Sequence, residues 1–298
     1  MIVAFGDLML DIVMRARSSS PYTAHSFQAS ITPGGSAANF AVWAARLGSK
    51  VGLIAKVGAD VIGRSLLRDL ENEGVVNGVA VGKEATGLAL TIVDQNGERT
   101  MMVARGATST LSTDDLDWML LDCADLLHIT AYSFFEDTPR QAALAAMAHI
   151  KKRNKLLSLD PASHSFLQCL GVEAFFALAQ GVDIFIPNLD EGRVLTGERE
   201  PDRVMRSLLR RFYVVALKLG ADGAMAGTGD TIAHHPGFTV PVVDTTGAGD
   251  AFGAAFIVTW LTHHDLAAAL REGNRIAAGV VQAVGARFTA IPPDSSLR

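Results

Sequence analysis

Apolar and polar positions alternate between two regimes along the chain. Short runs dense in β-branched and apolar residues have the length and composition of strands: MIVAFG (1–6), VGLIAKVG (51–58), DLLHIT (125–130), KLLSLD (155–160), VDIFIPN (182–188) and FYVVALKLG (212–220). Between them lie segments of helical period: 36–48 ending in Gly48, 61–74 ending in Gly74, and 138–152 with Thr138 as N-cap and Pro139 in the first turn. Strands alternating with helices predict an α/β fold, a doubly wound and mostly parallel sheet flanked by helices.

Two regions break this rhythm. Residues 12–32 alternate Phe27, Ala29 and Ile31 against Ser26, Gln28 and Ser30, and 86–104 reads as a hairpin turning at Asn96-Gly97. RSSSP (17–21) is a loop-like cluster beside the first of them. Both are inserted between α/β elements, which predicts a single domain over 1–298 with a small β-sheet lid built from about 12–32 and 86–105.

Composition narrows the class. Half the chain is hydrophobic (49%) and 19% is charged, a compact profile, and the net charge of -5 leaves no basic footprint for nucleic acid or an anionic membrane. The longest apolar stretches are interrupted by Asp250, Arg271 and Asn274, short of a membrane span. Cys123 and Cys169 stand among apolar neighbours without metal spacing and are expected to be buried thiols in a reducing compartment; the amino terminus reads as a core strand, so a cytoplasmic location is expected.

Candidate chemistry centres on PVVDTTGAGDAF (241–252), read as strand, turn and helix. Gly247 and Gly249 let backbone approach a ligand, and the N–H groups opening a helix favour an anion. Asp250 beside such a pocket suits proton removal from a hydroxyl attacking a phosphoryl group; the alternative is a residue that only stabilises the helix start. No Lys-Ser or Lys-Thr follows, so this is not a Walker loop, and the glycine register does not match a dinucleotide fingerprint. In GGSAAN (34–39), Asn39 sits early in a helix, where it either meets ligand hydroxyls or caps local backbone. Asp11 in GDLMLD either accepts hydrogen bonds from sugar hydroxyls or is a turn residue.

Together these stretches resemble the ribokinase-like, or PfkB, family of carbohydrate and nucleoside kinases. GGSAANFAVWAARLG (34–48) and DTTGAGDAFGAAF (244–256) look like its two signatures, and KVGADVIG (56–63), PNLDE (187–191), KLGADGA (218–224) and EGNRIAAGVVQ (272–282) fall in family order. The resemblance implies Asp250 as catalytic base, with the backbone of Gly247, Ala248 and Gly249 as anion hole. It implies Asn188 and Glu191 organising Mg2+ through water, Lys218, Gly220 and Gly223 beside the phosphates and ribose of ATP, and Asn274 beside the adenine. Asp11, Gly35 and Asn39 match positions that hold sugar hydroxyls. A monovalent cation such as K+ near Asp244 and Thr246, with carbonyls of 281–290, and a homodimer through the lid are further family possibilities.

Departures bear on the acceptor. Met9 and Ser36 stand where ribokinases carry Asn and Lys, which argues against ribose. DPASHSFLQ (160–168) lacks the arginine that kinases of 2-keto-3-deoxygluconate use, leaving Arg105 as a substitute. Tyr22, Phe27 and Phe40 are candidate platforms for a nucleoside base, against the alternative of lid or core packing. The His234-His235 and His263-His264 pairs are spaced poorly for a metal and read as surface residues, and Trp43 reads as core. The expected activity is phosphorylation of a hydroxymethyl group on a small sugar; the alternatives are a nucleoside kinase, a kinase of a vitamin precursor such as hydroxymethylpyrimidine, and a non-catalytic sugar-binding protein on the same fold.

Overall fold

Residues 2–5 are Ile-Val-Ala-Phe, and the two-residue period of a strand sends Ile2 and Ala4 into one apolar cluster and Val3 and Phe5 into another. Val214 and Ala216 against Val215 and Leu217 divide in the same way. Each strand is buried on both faces, which is why its sequence is apolar throughout rather than alternating. The structure, a computed structural model, describes residues 1–16, 27–94 and 99–287.

The main sheet has nine strands in the order Thr231–His235, Ala224–Thr228, Val214–Lys218, Ile184–Phe185, Leu156–Asp160, Leu126–Thr130, Ile2–Phe5, Val51–Ile54 and Val76–Asn77. From Val214–Lys218 to Val76–Asn77 every neighbouring pair is parallel; only Ala224–Thr228 runs against its neighbours. On one face pack the helices Ser36–Arg46, Ala248–His263 and Leu266–Val280, contributing Phe40, Trp43 and Phe256. On the other pack Asp137–Lys152, Val172–Leu178 and Pro201–Leu209, with Met147, Phe175 and Leu208. Each such fully buried side chain contributes about 1.5–3 kcal/mol. Trp43 is core, as expected, and donates its indole N–H to the Ala286 carbonyl at 3.0 Å.

A separate four-stranded sheet orders Phe27–Gly34, Met9–Ala16, Leu88–Val93 and Arg99–Ala104. The Asn96-Gly97 turn expected between the last two, and the RSSSP cluster, lie outside the described residues. The cross-strand register sets Ile31, Ile12, Leu90 and Met102 in one row across this sheet, and its two ends, Ile31 and Met102, are exposed.

Several expectations change. VGLIAKVG divides: Val51–Ile54 joins the main sheet, while Lys56–Gly58 pairs with Ala80–Gly82 in a small parallel sheet. PVVD (241–244) is no strand, because it has no neighbouring strand to pair with; the N–H groups of Val243 and Asp244 bond to the Val281 carbonyl just past a helix end. The helix expected over 138–152 begins at Asp137 rather than after Thr138, with Glu136 at its N-cap and Asp137 accepting from Arg140. Cys123 and Cys169 are exposed rather than buried. Phe166 and Leu167 take the inner face of helix His164–Leu170, and Cys169 lies about 200° around it from Leu167.

Candidate active site

Parallel strands align their carboxyl ends on one edge of a sheet, where ligands of doubly wound folds collect. Here those ends deliver Asp7 after Ile2–Phe5, Thr130, Asp160, Asn188 after Ile184–Phe185, and Lys218. The glycine-rich turn meets this edge at the start of helix Ala248–His263. Gly247 is the N-cap with φ 73°, and a β-carbon there would lie 2.2 Å from Ala286 Cβ, so only glycine allows the turn to close on the 285–287 segment.

Asp250 lies in the first turn of that helix without capping it. Its Oδ1 accepts from Ser36 Oγ at 2.6 Å and its Oδ2 from Asn39 Nδ2 at 2.9 Å, so the carboxylate joins the two glycine-rich stretches. Burial pushes its pKa up to about 6, although the bonds from Ser36 and Asn39 pull the other way. Asn39 is buried and caps nothing: Oδ1 accepts from Arg287 Nε at 3.0 Å and Nδ2 donates to Asp250, leaving one N–H for a ligand.

Asp11 is the third residue of strand Met9–Ala16, not a turn residue. Its carboxylate covers Gly34 so closely that a β-carbon there would be 2.1 Å from Oδ2. Burial raises Asp11 to about 6, with Arg287 opposing and Asp244 and Asp7 adding to the rise. Gly35 has φ 93°, and a β-carbon on it would lie 2.4 Å from the Asp7 carbonyl, which is how the glycine pair stays against the end of the first strand.

Lys218 Nζ donates to Asp160 Oδ2 at 2.6 Å and stands 3.4 Å from the β-carbon position of Gly249. Burial alone would lower its pKa, but Asp160 and Glu191 outweigh burial and hold it above the ordinary lysine value, so the ammonium stays charged. Asn188 and Glu191 form a reciprocal cap on helix Leu189–Thr196: the Asn188 N–H donates to Glu191 Oε2 at 2.7 Å and the Glu191 N–H to Asn188 Oδ1 at 2.9 Å. Burial, then Asp160, raises the Glu191 carboxyl.

A cavity of about 590 Å3 gathers Asn188, Lys218, Gly220, Gly223, Ala248, Gly249 and Asn274, within the size range of small-molecule sites. Asn274 Nδ2 donates to the His235 carbonyl at 3.2 Å, and the Gly237 N–H donates to His235 Nδ1 at 3.1 Å. Phe238, Val240 and Val242 line the same cavity and were missed from sequence, as was Asp160. The spaced apolar residues of GFTVPVV were the available signal for the former; Asp160 offered only a carboxylate at a strand end.

Near Gly6, Thr130 Oγ1 and Ser133 Oγ are buried without a hydrogen-bond partner, 2.8 and 3.2 Å from its β-carbon position. Arg105 is committed to carboxylates, Nη2 to Asp7 Oδ1 at 2.9 Å and Nε 3.6 Å from Glu136. Phe40 stacks on His128 inside the core with centroids 3.7 Å apart, which removes it as a base platform; Tyr22 and the Phe27 side chain lie outside the described residues. Asp244 accepts from Thr246 N–H at 3.1 Å and Oγ1 at 2.8 Å and from the Gly285 N–H at 3.1 Å, while carbonyls 288–290 lie outside the described residues. Among the described residues, no group of three or more His, Cys, Asp or Glu is arranged to hold a metal ion, and no helix is long and apolar enough to cross a membrane.

The sequence matches the pfkB family carbohydrate kinase over residues 1–293. The chain belongs to that family. It is 36% identical over 266 residues to the ATP-dependent ribose-1-phosphate kinase of Halopiger xanaduensis, covering 85% of this chain and 82% of the relative. It is 32% identical over 266 residues to fructokinase-1 of Zea mays, covering 86% and 82%. Among solved structures, an Escherichia coli protein described as ribokinase II, in complex with ATP and Mg2+, aligns with a TM-score of 0.86 at 27% identity over 96% of this chain and 94% of that one. The protein is a carbohydrate kinase of the pfkB family, a phosphotransferase with an alcohol acceptor. The ATP complex of a similar protein supports ATP use.

Proposed function

We propose that this kinase transfers the γ-phosphoryl group of ATP to a hydroxymethyl group of a small neutral sugar, with Asp250 as the base. The observation that carries the reading is the Asp250 carboxylate, fixed by Ser36 and Asn39, raised to about 6, and set in the helix turn whose Ala248 and Gly249 line the cavity. A base of that pKa is ionised at neutral pH yet basic enough to take a hydroxyl proton as attack develops. The N–H groups of the first helical turn, which no intrahelical carbonyl can take, form the anion hole with Gly247, Ala248 and Gly249. Lys218, charged and beside Gly249, adds a cation to the phosphoryl pocket.

ATP occupies the 590 Å3 cavity, phosphates toward Lys218, Gly220 and Gly223 and adenine toward Asn274. Asn188 and Glu191 fit a hydrated cation: the reciprocal cap uses Glu191 Oε2 and one lone pair of Asn188 Oδ1, which leaves Glu191 Oε1 and the other Oδ1 lone pair to accept from cation-bound water. Mg2+ bound there with ATP neutralises charge on the phosphate oxygens.

The acceptor lies among Asp11, Gly35, Asn39 and the unpartnered hydroxyls of Thr130 and Ser133. A neutral sugar is favoured over an acidic one because the Arg105 charge is balanced by Asp7 and Glu136, and Phe40, being core, offers no platform for a nucleoside base. The small sheet, which carries Asp11 and Gly34, acts as a lid that excludes water. Its exposed Ile31, Met101, Met102 and Val103 suit pairing with a second copy.

The test is ADP release with Mg-ATP across neutral sugars, sugar phosphates, keto-deoxy sugar acids and nucleosides. One neutral sugar stimulating release far above the rest is the expected result; stimulation only by an acid or a nucleoside overturns the acceptor assignment, and none at all returns the non-catalytic reading. With the acceptor in hand, kcat/KM should fall about tenfold per pH unit below a midpoint near 6, because protonation of Asp250 removes the base. A flat profile from pH 5 to 8 counts against the assignment.

A further inference from the structure

The Asn39 amide has two unlike ends, and its orientation decides whether Asp250 meets a donor or an acceptor. Were Oδ1 turned toward Asp250, two acceptors would face each other and the carboxylate would lose a hydrogen bond. Arg287 settles the orientation. Its side chain is 5% exposed, and its Nε donates to Asn39 Oδ1 at 3.0 Å. Nη1 donates to Asp69 Oδ2 at 2.5 Å, and Nη2 reaches the Gly34 carbonyl at 3.4 Å. A guanidinium only donates, so Asn39 Oδ1 is held toward Arg287 and Nδ2 toward Asp250.

We infer that Arg287 is a positioning residue for phosphoryl transfer, acting through Asn39 to fix the Asp250 carboxylate, with Asp69 anchoring the guanidinium. The inference rests on Asp250 as base. Asp69, Arg287, Asn39 and Asp250 form one hydrogen-bonded chain running from helix Val61–Asn72 to the turn at the cavity. The hydrogen bonds of Arg287 go to Asn39, Asp69 and Gly34, none of which lines that cavity, so its removal should act on kcat rather than on nucleotide binding.

The experiment measures kcat, both KM values and melting temperature for Arg287→Met, Arg287→Lys, the double variant Asp69→Asn/Arg287→Met and Asp250→Asn. Loss of a positioning contact should lower kcat by roughly tenfold to a hundredfold in Arg287→Met, with the ATP KM within about threefold and any rise in acceptor KM, through the loosened Asn39, smaller than the fall in kcat. Arg287→Lys should recover much of that loss, since an ammonium still donates to Asn39 Oδ1. The double variant removes the unpaired, partly buried charge left on Asp69, so it should regain stability yet keep the low kcat; it also carries the test if Arg287→Met does not fold. Recovery of kcat in the double variant to within about twofold of wild type would show Arg287 to be only a partner for Asp69 and overturn the inference. A raised acceptor KM at unchanged kcat would overturn it too, by making Arg287 a substrate contact. Asp250→Asn separates the two readings: if that variant turns over normally, the base assignment fails irrespective of Arg287.

Discussion

Asp250→Asn is expected to lower kcat by about 10²–10⁴-fold, the usual contribution of a positioned base, while leaving ATP affinity and melting temperature nearly unchanged. The new side chain is isosteric and fits the same partners. Asn39 Nδ2 is turned toward position 250, so the amide oxygen introduced there takes that bond, and the introduced amide nitrogen donates to Ser36 Oγ, whose hydroxyl is free to rotate. Stability does not fall, because burial already disfavours the ionised form of Asp250 and the substitution removes that charge. What disappears is an acceptor able to hold a proton from the sugar hydroxyl. Acceptor-stimulated ADP release, calorimetric ATP binding and thermal melting of the same preparation separate these effects. Turnover within tenfold of wild type would assign the base elsewhere, and lost ATP binding would show a structural role.

The parts of the fold that sequence revealed are those where burial imposes a pattern. Parallel strands covered on both faces read as unbroken apolar runs, and Val214–Lys218 or Leu126–Thr130 were visible for that reason. Ala224–Thr228 and Thr231–His235 escaped because small residues and histidines give no such run; the two-residue Gly229-Asp230 connection was their only mark. PVVD misled in the opposite direction, since β-branched residues before a glycine turn imitate a strand whatever their backbone bonds to. The candidate site was legible as two glycine-rich stretches and separate polar residues. Its connectivity was not: Ser36 and Asn39 meet Asp250 across more than two hundred residues, Lys218 meets Asp160, and Arg287 meets Asn39. No periodicity encodes such pairings, which depend on how strand ends and helix starts converge.

Two neighbouring glycines should respond very differently to a single methyl group. Gly223 has φ 84° and ψ -128°, a conformation open in practice to glycine alone, and its β-carbon would lie 2.0 Å from the His235 carbonyl oxygen, 2.4 Å from Gly237 N and 2.5 Å from Pro236 C. These are backbone atoms, so no rotamer change relieves the collision, and the 235–237 segment must move. That segment holds Asn274 through the His235 carbonyl, and Gly237, packed against the 220–223 turn, lines the cavity with Phe238. Gly223→Ala should therefore raise the ATP KM by about tenfold or more, equivalent to at least about 1.4 kcal/mol of binding, with acceptor KM little changed. Backbone strain of roughly 1–3 kcal/mol should also lower the melting temperature by several degrees. Gly220 has φ 65° and open space around its β-carbon position, so Gly220→Ala meets only the left-handed penalty of about 1–2 kcal/mol. Its melting temperature should fall less than that of Gly223→Ala, since no backbone lining the cavity is displaced, and any rise in its ATP KM would come from the methyl group meeting the nucleotide itself. Thermal melting, with steady-state kinetics in which each substrate is varied in turn, tests the contrast. Equal effects at both positions would exclude the 235–237 contact as the cause, and a rise in acceptor KM for Gly223→Ala would mean that the cavity receives the sugar rather than the nucleotide.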